Sequence, residues 1–233
     1  MKLQTLAELN AERAARRPVI IVTDVATGEQ RLVKAKDFAV DPLGGELAGQ
    51  LRTGKSGMVE VEAKKLFLNV YAPTARLVIV GAVHISQALA PMAQSLGYDV
   101  TIVDPRTAFA SPERFPDVPL IAEWPDVALP PLNIDHYTAF VALTHDPKID
   151  DPALLHAFQR DCFYIGALGS RKTHGKRAER LRALGAKDSD IARIHAPIGL
   201  PIGAVSPSEI AVSIMAEITA QLRLPPKQKE EAA

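Results

Sequence analysis

Four short stretches of this chain combine glycine, charged and imidazole residues in patterns that suit anion or cofactor chemistry. The first is Gly81-Ala82-Val83-His84-Ile85-Ser86. It sits between an apolar run and a helical pattern, where a dinucleotide fingerprint would stand, but two of the three glycines of Gly-x-Gly-x-x-Gly are missing. Gly81 suits a tight turn. Val83 puts a β-branched side chain where bare backbone should approach a pyrophosphate, while Ser86 is small enough for close helix–strand packing. The helix start still offers free N–H groups to an anion. Phosphate or pterin binding with altered geometry therefore stands beside a plain structural turn.

The second stretch is Asp104-Pro105-Arg106. Asp104 lies about 20 residues past the glycine, where an acidic group often meets a ribose. Arg106 is expected to pair with Asp104 or with a ligand phosphate. The third is Thr144-His145-Asp146, which leaves a buried strand, so its polar groups emerge at one edge. His145 has the chemistry for proton transfer, for hydrogen bonding a ligand, or for metal ligation; Asp146 before Pro147 also reads as a turn. The fourth is Gly166-Ala167-Leu168-Gly169-Ser170-Arg171, where donors gather at the start of a helix, an arrangement that suits an oxyanion. Cys162 reads as a small core residue, and Glu209 as part of a capping box with Ser206. No His-x-x-x-His or Glu-x-x-His pair suggests a metal cage, so no metal site is expected.

Positioning these residues requires a particular framework. RLVIV (76–80), DVTIVD (99–104), FVALTHD (140–146) and the stretch CFYIGALG are continuous apolar runs, as strands covered on both faces should be. They alternate with helical patterns at 84–96, after Asp151-Pro152 (read as N-cap and first helical position), at 173–184, and from Ser206 onward. A further strand is expected near 118–122. This alternation predicts an α/β, Rossmann-like open parallel sheet with helices on both faces over residues 76–223. In such folds ligands sit at the carboxyl ends of the strands, which selects the four stretches above. Residues 1–72 differ: a helix over 3–16, then strands at PVIIVTD, QRLVKA, MVEVE and KLFLNVY around a Gly-rich passage at 41–57, predict a small β-rich N-terminal domain. Residues 224–233 are expected to be a disordered tail.

Bulk properties narrow the function classes. Lys plus Arg equals Asp plus Glu, 27 each, which disfavours a nucleic-acid binder. One cysteine permits no internal disulfide and points to a reducing compartment. The first 18 residues lack the apolar core of a signal peptide, and no run is long enough for a membrane span. A cytoplasmic protein is expected.

Three segments add a resemblance. HDPKIDDPALL, YIGALGSRKT and above all PIGLPIGAVSPSEIAVSIMAEI resemble the xanthine dehydrogenase accessory factor family (XdhC/CoxF type), over about residues 76–223. Members often carry Gly-x-Gly-His after the first strand; His84 matches that pattern and Val83 departs from it. The resemblance implies a maturation factor that binds the molybdenum cofactor, as molybdopterin or its dinucleotide form. Such factors present it for sulfuration by a cysteine desulfurase and help deliver it to the apo-enzyme of a molybdenum hydroxylase. By that analogy Gly81, Val83, His84, Asp104, Arg106, His145, Asp146, Gly169, Ser170 and Arg171 form the binding edge. The N-terminal third lacks the Gly-Ser-x-Pro-Arg and Cys-Gly-Gly motifs of longer members, and Gly44-Gly45-Glu46 is only a faint echo of their glycine-rich turn. A short form of this kind implies a different cofactor state or cooperation with a longer paralogue. A homodimer is a further expectation, because the β-rich unit is too small to bury much alone. The competing readings are an NAD(P)-dependent oxidoreductase, which valine at 83 opposes, and an interaction module without a ligand.

Overall fold

The computed structural model describes residues 1–225; the tail expected to be disordered lies, from residue 226, outside the described residues. The chain divides into two compact units, Met1–Pro73 and Thr74 onward.

The N-terminal unit opens with helix α1 (Leu3–Ala14), followed by strands β1 (Val19–Asp24) and β2 (Gln30–Lys34), helix α2 (Gly44–Thr53) and strands β3 (Gly57–Val61) and β4 (Lys64–Tyr71). The strands form an antiparallel sheet in the order β2-β1-β4-β3. Alternate side chains of β1 serve two faces, as strand geometry requires. Ile20 and Val22 join Leu47 of α2 and Leu68, whereas Val19 and Ile21 join Leu9 of α1.

The second unit contains β5 (Arg76–Val80), α3 (His84–Ser95), β6 (Asp99–Val103), β7 (Leu120–Ile121), α4 (Pro125–Ala128), β8 (Thr138–Ala142) and α5 (Pro147–Phe158). It continues with β9 (Tyr164–Ala167), α6 (Arg171–Ala183), α7 (Asp188–Ile191), β10 (Ile194–His195) and α8 (Pro207–Arg223). All paired strands of this sheet run parallel, in the order β10-β9-β8-β5-β6-β7. Read from β7, this is the 3-2-1-4-5-6 order of a doubly wound sheet, whose switch point lies between β5 and β8. The expected α/β architecture with a small N-terminal sheet is therefore the observed one.

The apolar runs are continuous because both faces are covered. Leu77 and Ile79 of β5 pack with Leu89 of α3 and Ile214 and Ile218 of α8. Val78 and Val80, one residue out of phase, pack with Leu154 of α5 and Leu181 of α6. Each fully buried aliphatic side chain contributes roughly 1.5–3 kcal/mol.

One helix boundary differs from the sequence reading. Helix α5 begins at Pro147, not at Pro152, and its cap is Asp146, whose side chain accepts from the Lys148 N–H at 2.9 Å. Asp146-Pro147 and Asp151-Pro152 carry the same local signal, and tertiary contacts choose between them. Asp151 is committed elsewhere, accepting from Arg180 Nε at 2.6 Å and Nη2 at 3.0 Å. Pro152 is left inside the helix, at the cost of one backbone hydrogen bond. The third apolar run also ends earlier, at Ala142, so Leu143–Asp146 is an exit loop.

Candidate functional site

The carboxyl edge of the parallel sheet holds two different environments. At the switch point the loop after β5 is closed by its own neighbours. The carboxylate of Asp104 is fully buried and accepts from the Ala82 N–H at 2.7 Å, the Arg106 N–H at 2.9 Å, Arg106 Nε at 2.9 Å and Arg106 Nη2 at 2.7 Å. Burial pushes the Asp104 carboxyl upward, but these donors outweigh it and hold the group below the usual carboxylate range. Arg106 also lies 4.5 Å over the Phe109 ring. The Ser86 hydroxyl donates to the Gly81 carbonyl at 2.5 Å, and Arg114 Nη1 donates to the Ala82 carbonyl at 2.8 Å. A Cβ on Gly81 would meet Thr144 Cγ2 at 2.9 Å, so the glycine is needed for close approach of two loops. Val83 caps α3 in extended backbone, and His84 opens that helix with an exposed ring.

One strand further along, at the ends of β8, β9 and β10, the edge opens into a cleft of about 680 Å³. This is within the range of small-molecule sites. His145, Gly169 and Arg171 line it; Gly81, Val83, His84, Asp104, Arg106, Asp146 and Ser170 do not. Arg171 is exposed at the first position of α6 and makes no ion pair among the described residues. Ser170 caps that helix, its side chain accepting from the Thr173 N–H at 3.2 Å. His145 is held in the left-handed region at φ 63°, and its N–H donates to Asp150 Oδ2 at 3.0 Å. Among the described residues no group of three or more His, Cys, Asp and Glu side chains is placed to hold a metal ion.

Five residues that build this cleft were not singled out from the sequence. Asp150 and Arg177 are both almost wholly buried and approach to 3.9 Å. Asp150 also accepts from the Thr144 hydroxyl at 2.6 Å, while Arg177 Nη2 donates to the Leu168 carbonyl at 2.8 Å. The pair thus ties the exit loop of β8 to that of β9. Burial pushes the Asp150 carboxyl up, against the Thr144 hydrogen bond and the Arg177 charge. On the other side of the cleft, Glu217 of α8 accepts from Tyr164 Oη at 2.5 Å and the Gly199 N–H at 2.8 Å on one oxygen. Its second oxygen lies 3.0 Å from His195 Nδ1. His195 stacks on Tyr164, with ring centroids 4.6 Å apart. Pro197, Ile198 and Leu200 from the chain between β10 and α8 (196–206), together with Ile210 of α8, form an apolar wall beside this cluster. A lone glutamate in the apolar stretch Ile210–Ile218 was the available clue to Glu217. His195, within Ile-His-Ala-Pro, carried no comparable local signal.

An open parallel sheet in this strand order, with a ligand-sized cleft at its carboxyl edge, defines an α/β protein of the Rossmann type. More specifically, the model of the XdhC Rossmann domain matches residues 77–218, and the chain belongs to that family. Among curated proteins it is 34% identical over 158 residues to the uncharacterized protein YqeB of Escherichia coli K12, covering 67% of this chain and 29% of that one. It is 32% identical to a Bacillus subtilis protein named as a probable xanthine dehydrogenase component, covering 67% and 46%. It is 34% identical to the molybdenum cofactor insertion chaperone PaoD of Escherichia coli K12, covering 66% and 42%. The chain thus spans less than half the length of each of these relatives. A crystal structure described as a xanthine dehydrogenase from Bacillus halodurans superposes with a TM-score of 0.64 at 25% identity, covering 94% of this chain and 64% of that one.

Proposed function

We propose that this chain binds the molybdenum cofactor and assists its insertion into a molybdenum hydroxylase of the xanthine or CO dehydrogenase type. The observation that carries the reading is the cleft at the ends of β8, β9 and β10. It lies within residues 77–218, which match the family model, and a relative similar over 66% of this chain is named as a molybdenum cofactor insertion chaperone. The residues present fit such a group. Apolar walls suit a flat heterocycle, and the start of α6 with Arg171 suits its phosphate, because unbonded helix N–H groups and a guanidinium favour an oxyanion. When bound, the group brings the redox-active metal centre that the recipient hydroxylase uses; this chain holds and shields it.

Within this proposal Arg171, Gly169 and His145 hold the phosphate end. Gly81, Val83, His84, Asp104, Arg106, Asp146 and Ser170 shape the adjoining edge and brace its loops. Presentation to a cysteine desulfurase, cooperation with a longer paralogue, a homodimer and a cytoplasmic location complete the proposal. The nicotinamide reading is the weaker one, because both Asp104 oxygens are already engaged.

The test is direct binding of molybdopterin released from a molybdenum enzyme, followed by fluorescence of its oxidised pterin after gel filtration. Arg171→Ala should weaken retention about tenfold, the worth of one charge-assisted contact of about 1.4 kcal/mol. Equal retention by that variant would remove the phosphate assignment. Failure of the unaltered protein to retain molybdopterin would remove the proposal.

A further inference from the structure

We propose that His195, oriented by Glu217, is the second anchor of the cleft, a hydrogen-bond acceptor for a ring N–H of the bound heterocycle. This rests on the reading of the cleft as a pterin site and adds how the ring is held.

The argument begins with Glu217. The residue is only 6% exposed, yet one carboxylate oxygen receives both Tyr164 Oη and the Gly199 N–H, and the other faces His195 Nδ1. Burial alone would push this group up, but the donors from His195 and Tyr164 bring it below the usual carboxylate range. Tyr164 is held well above its ordinary value, by burial first and then by Glu217, so its hydroxyl keeps its proton and donates. An ionised carboxylate can only accept. His195 Nδ1 must therefore carry a proton, and in the neutral form of the ring Nε2 is then an acceptor.

Nε2 has no hydrogen-bond partner among the described residues, and the ring lines the cleft. Stacking on Tyr164 and the bond to Glu217 fix two directions of the imidazole, so its free nitrogen is preorganised. Around it the wall is apolar, from Pro197, Ile198, Leu200 and Ile210. An acceptor set in such a wall selects a planar ligand with an edge N–H donor. It would contribute nothing to a phosphate, for which Arg171 serves on the same cleft. The two anchors differ in chemistry, and a pterin phosphate carries both complementary ends.

The experiment uses the full chain labelled with 15N in its histidines, at mildly alkaline pH, with the His195 signals assigned from His195→Phe and His195→Gln. In the free protein His195 should show a protonated Nδ1 and a bare Nε2, and Glu217→Gln should mix the two tautomers. Molybdopterin should shift the Nε2 resonance toward the hydrogen-bonded position, whereas inorganic phosphate alone should leave it in place. His195→Phe, which keeps the stack on Tyr164, should weaken molybdopterin binding about tenfold, one hydrogen bond in a desolvated site. His195→Gln, with an amide reaching toward the Nε2 position, should recover part of that loss. A protonated Nε2 in the free protein overturns the proposal, as does a resonance that stays fixed while molybdopterin binds or one that moves with phosphate. Because those readouts use the unaltered side chain, and either variant suffices for the assignment, they stand even if one variant misfolds. Binding by the unaltered protein with a silent His195 refutes this inference alone; no binding at all refutes the cofactor reading and this one with it.

Discussion

Gly199→Ala tests whether the wall of the cleft is as tightly built as its geometry indicates. Gly199 sits at φ +90°, and a Cβ there would lie 2.3 Å from Ser213 Oγ, 3.0 Å from Ser213 C and 3.1 Å from Ile214 N. The backbone strain of a non-glycine residue at positive φ costs about 1–2 kcal/mol. Ser213 Oγ could rotate away only by giving up its hydrogen bond to the Ile210 carbonyl at 2.8 Å, about 1 kcal/mol more. The two backbone atoms belong to α8 and cannot yield. The total is about 2–3 kcal/mol, or roughly 5–10 °C in Tm for a unit of this size. Gly203 is the internal control. It lies in the same connection at φ +78°, but a Cβ there would meet nothing within 4 Å. Gly203→Ala should therefore lose only the strain, about 1 kcal/mol. Urea unfolding followed by Trp124, the chain's one tryptophan and part of the second unit, reads the difference. In a Ser213→Ala background the cost of Gly199→Ala should shrink by about 1 kcal/mol, since the two positions are in contact. Equal losses at 199 and 203, or no coupling to Ser213, would refute the packing argument.

Three further outcomes are expected. The folded Glu217 carboxyl lies below its ordinary value of 4.5, so its stabilising contribution is full above that pH and fades as pH falls through the folded value; Glu217→Gln should flatten this acid limb of the urea midpoint profile. An unchanged profile would mean the carboxylate is not the group that senses acid. Burial pushes the Cys162 thiol up to about 12, so iodoacetamide at neutral pH should label it only on unfolding, and rapid native labelling would contradict its burial. Asp104→Ala leaves the Ala82 N–H and Arg106 without their acceptor and should cost about 3 kcal/mol by the same urea assay. A loss below about 1 kcal/mol would show that the turn after β5 does not depend on this carboxylate.

Much of the fold was legible because it rests on local and periodic signals. The run Arg76–Val80 has no polar interruption after its first residue and is short and rich in β-branched residues, which fits a strand covered on both faces. Ser206, Pro207 and Glu209 spell the start of α8, and the structure shows both reciprocal capping bonds. Where two places carried the same signal, as in Asp146-Pro147 and Asp151-Pro152, local chemistry could not choose. The choice fell to Arg180, 29 residues beyond Asp151. The site was legible in part for the same reason. His145, Gly169 and Arg171 could be placed because strand ends in a parallel sheet converge on one edge.

By itself the sequence determined the parallel sheet, the edge at which sheets of this kind take their ligands, and, through the segment PIGLPIGAVSPSEIAVSIMAEI, the family to which the chain belongs. Only the tertiary structure decided which part of that edge is open. The switch-point loop is closed by Asp104, Arg106 and Arg114, whose bonds to Ala82 span 22 and 32 residues for the carboxylate and Arg114. The cleft lies one strand over, where Glu217 meets Tyr164 across 53 residues and His195 across 22. Such pairings leave no periodic trace. They join residues whose separation along the chain is set by the helices and strands between them, and a carboxylate is stable in that interior only because the fold brings three donors to it.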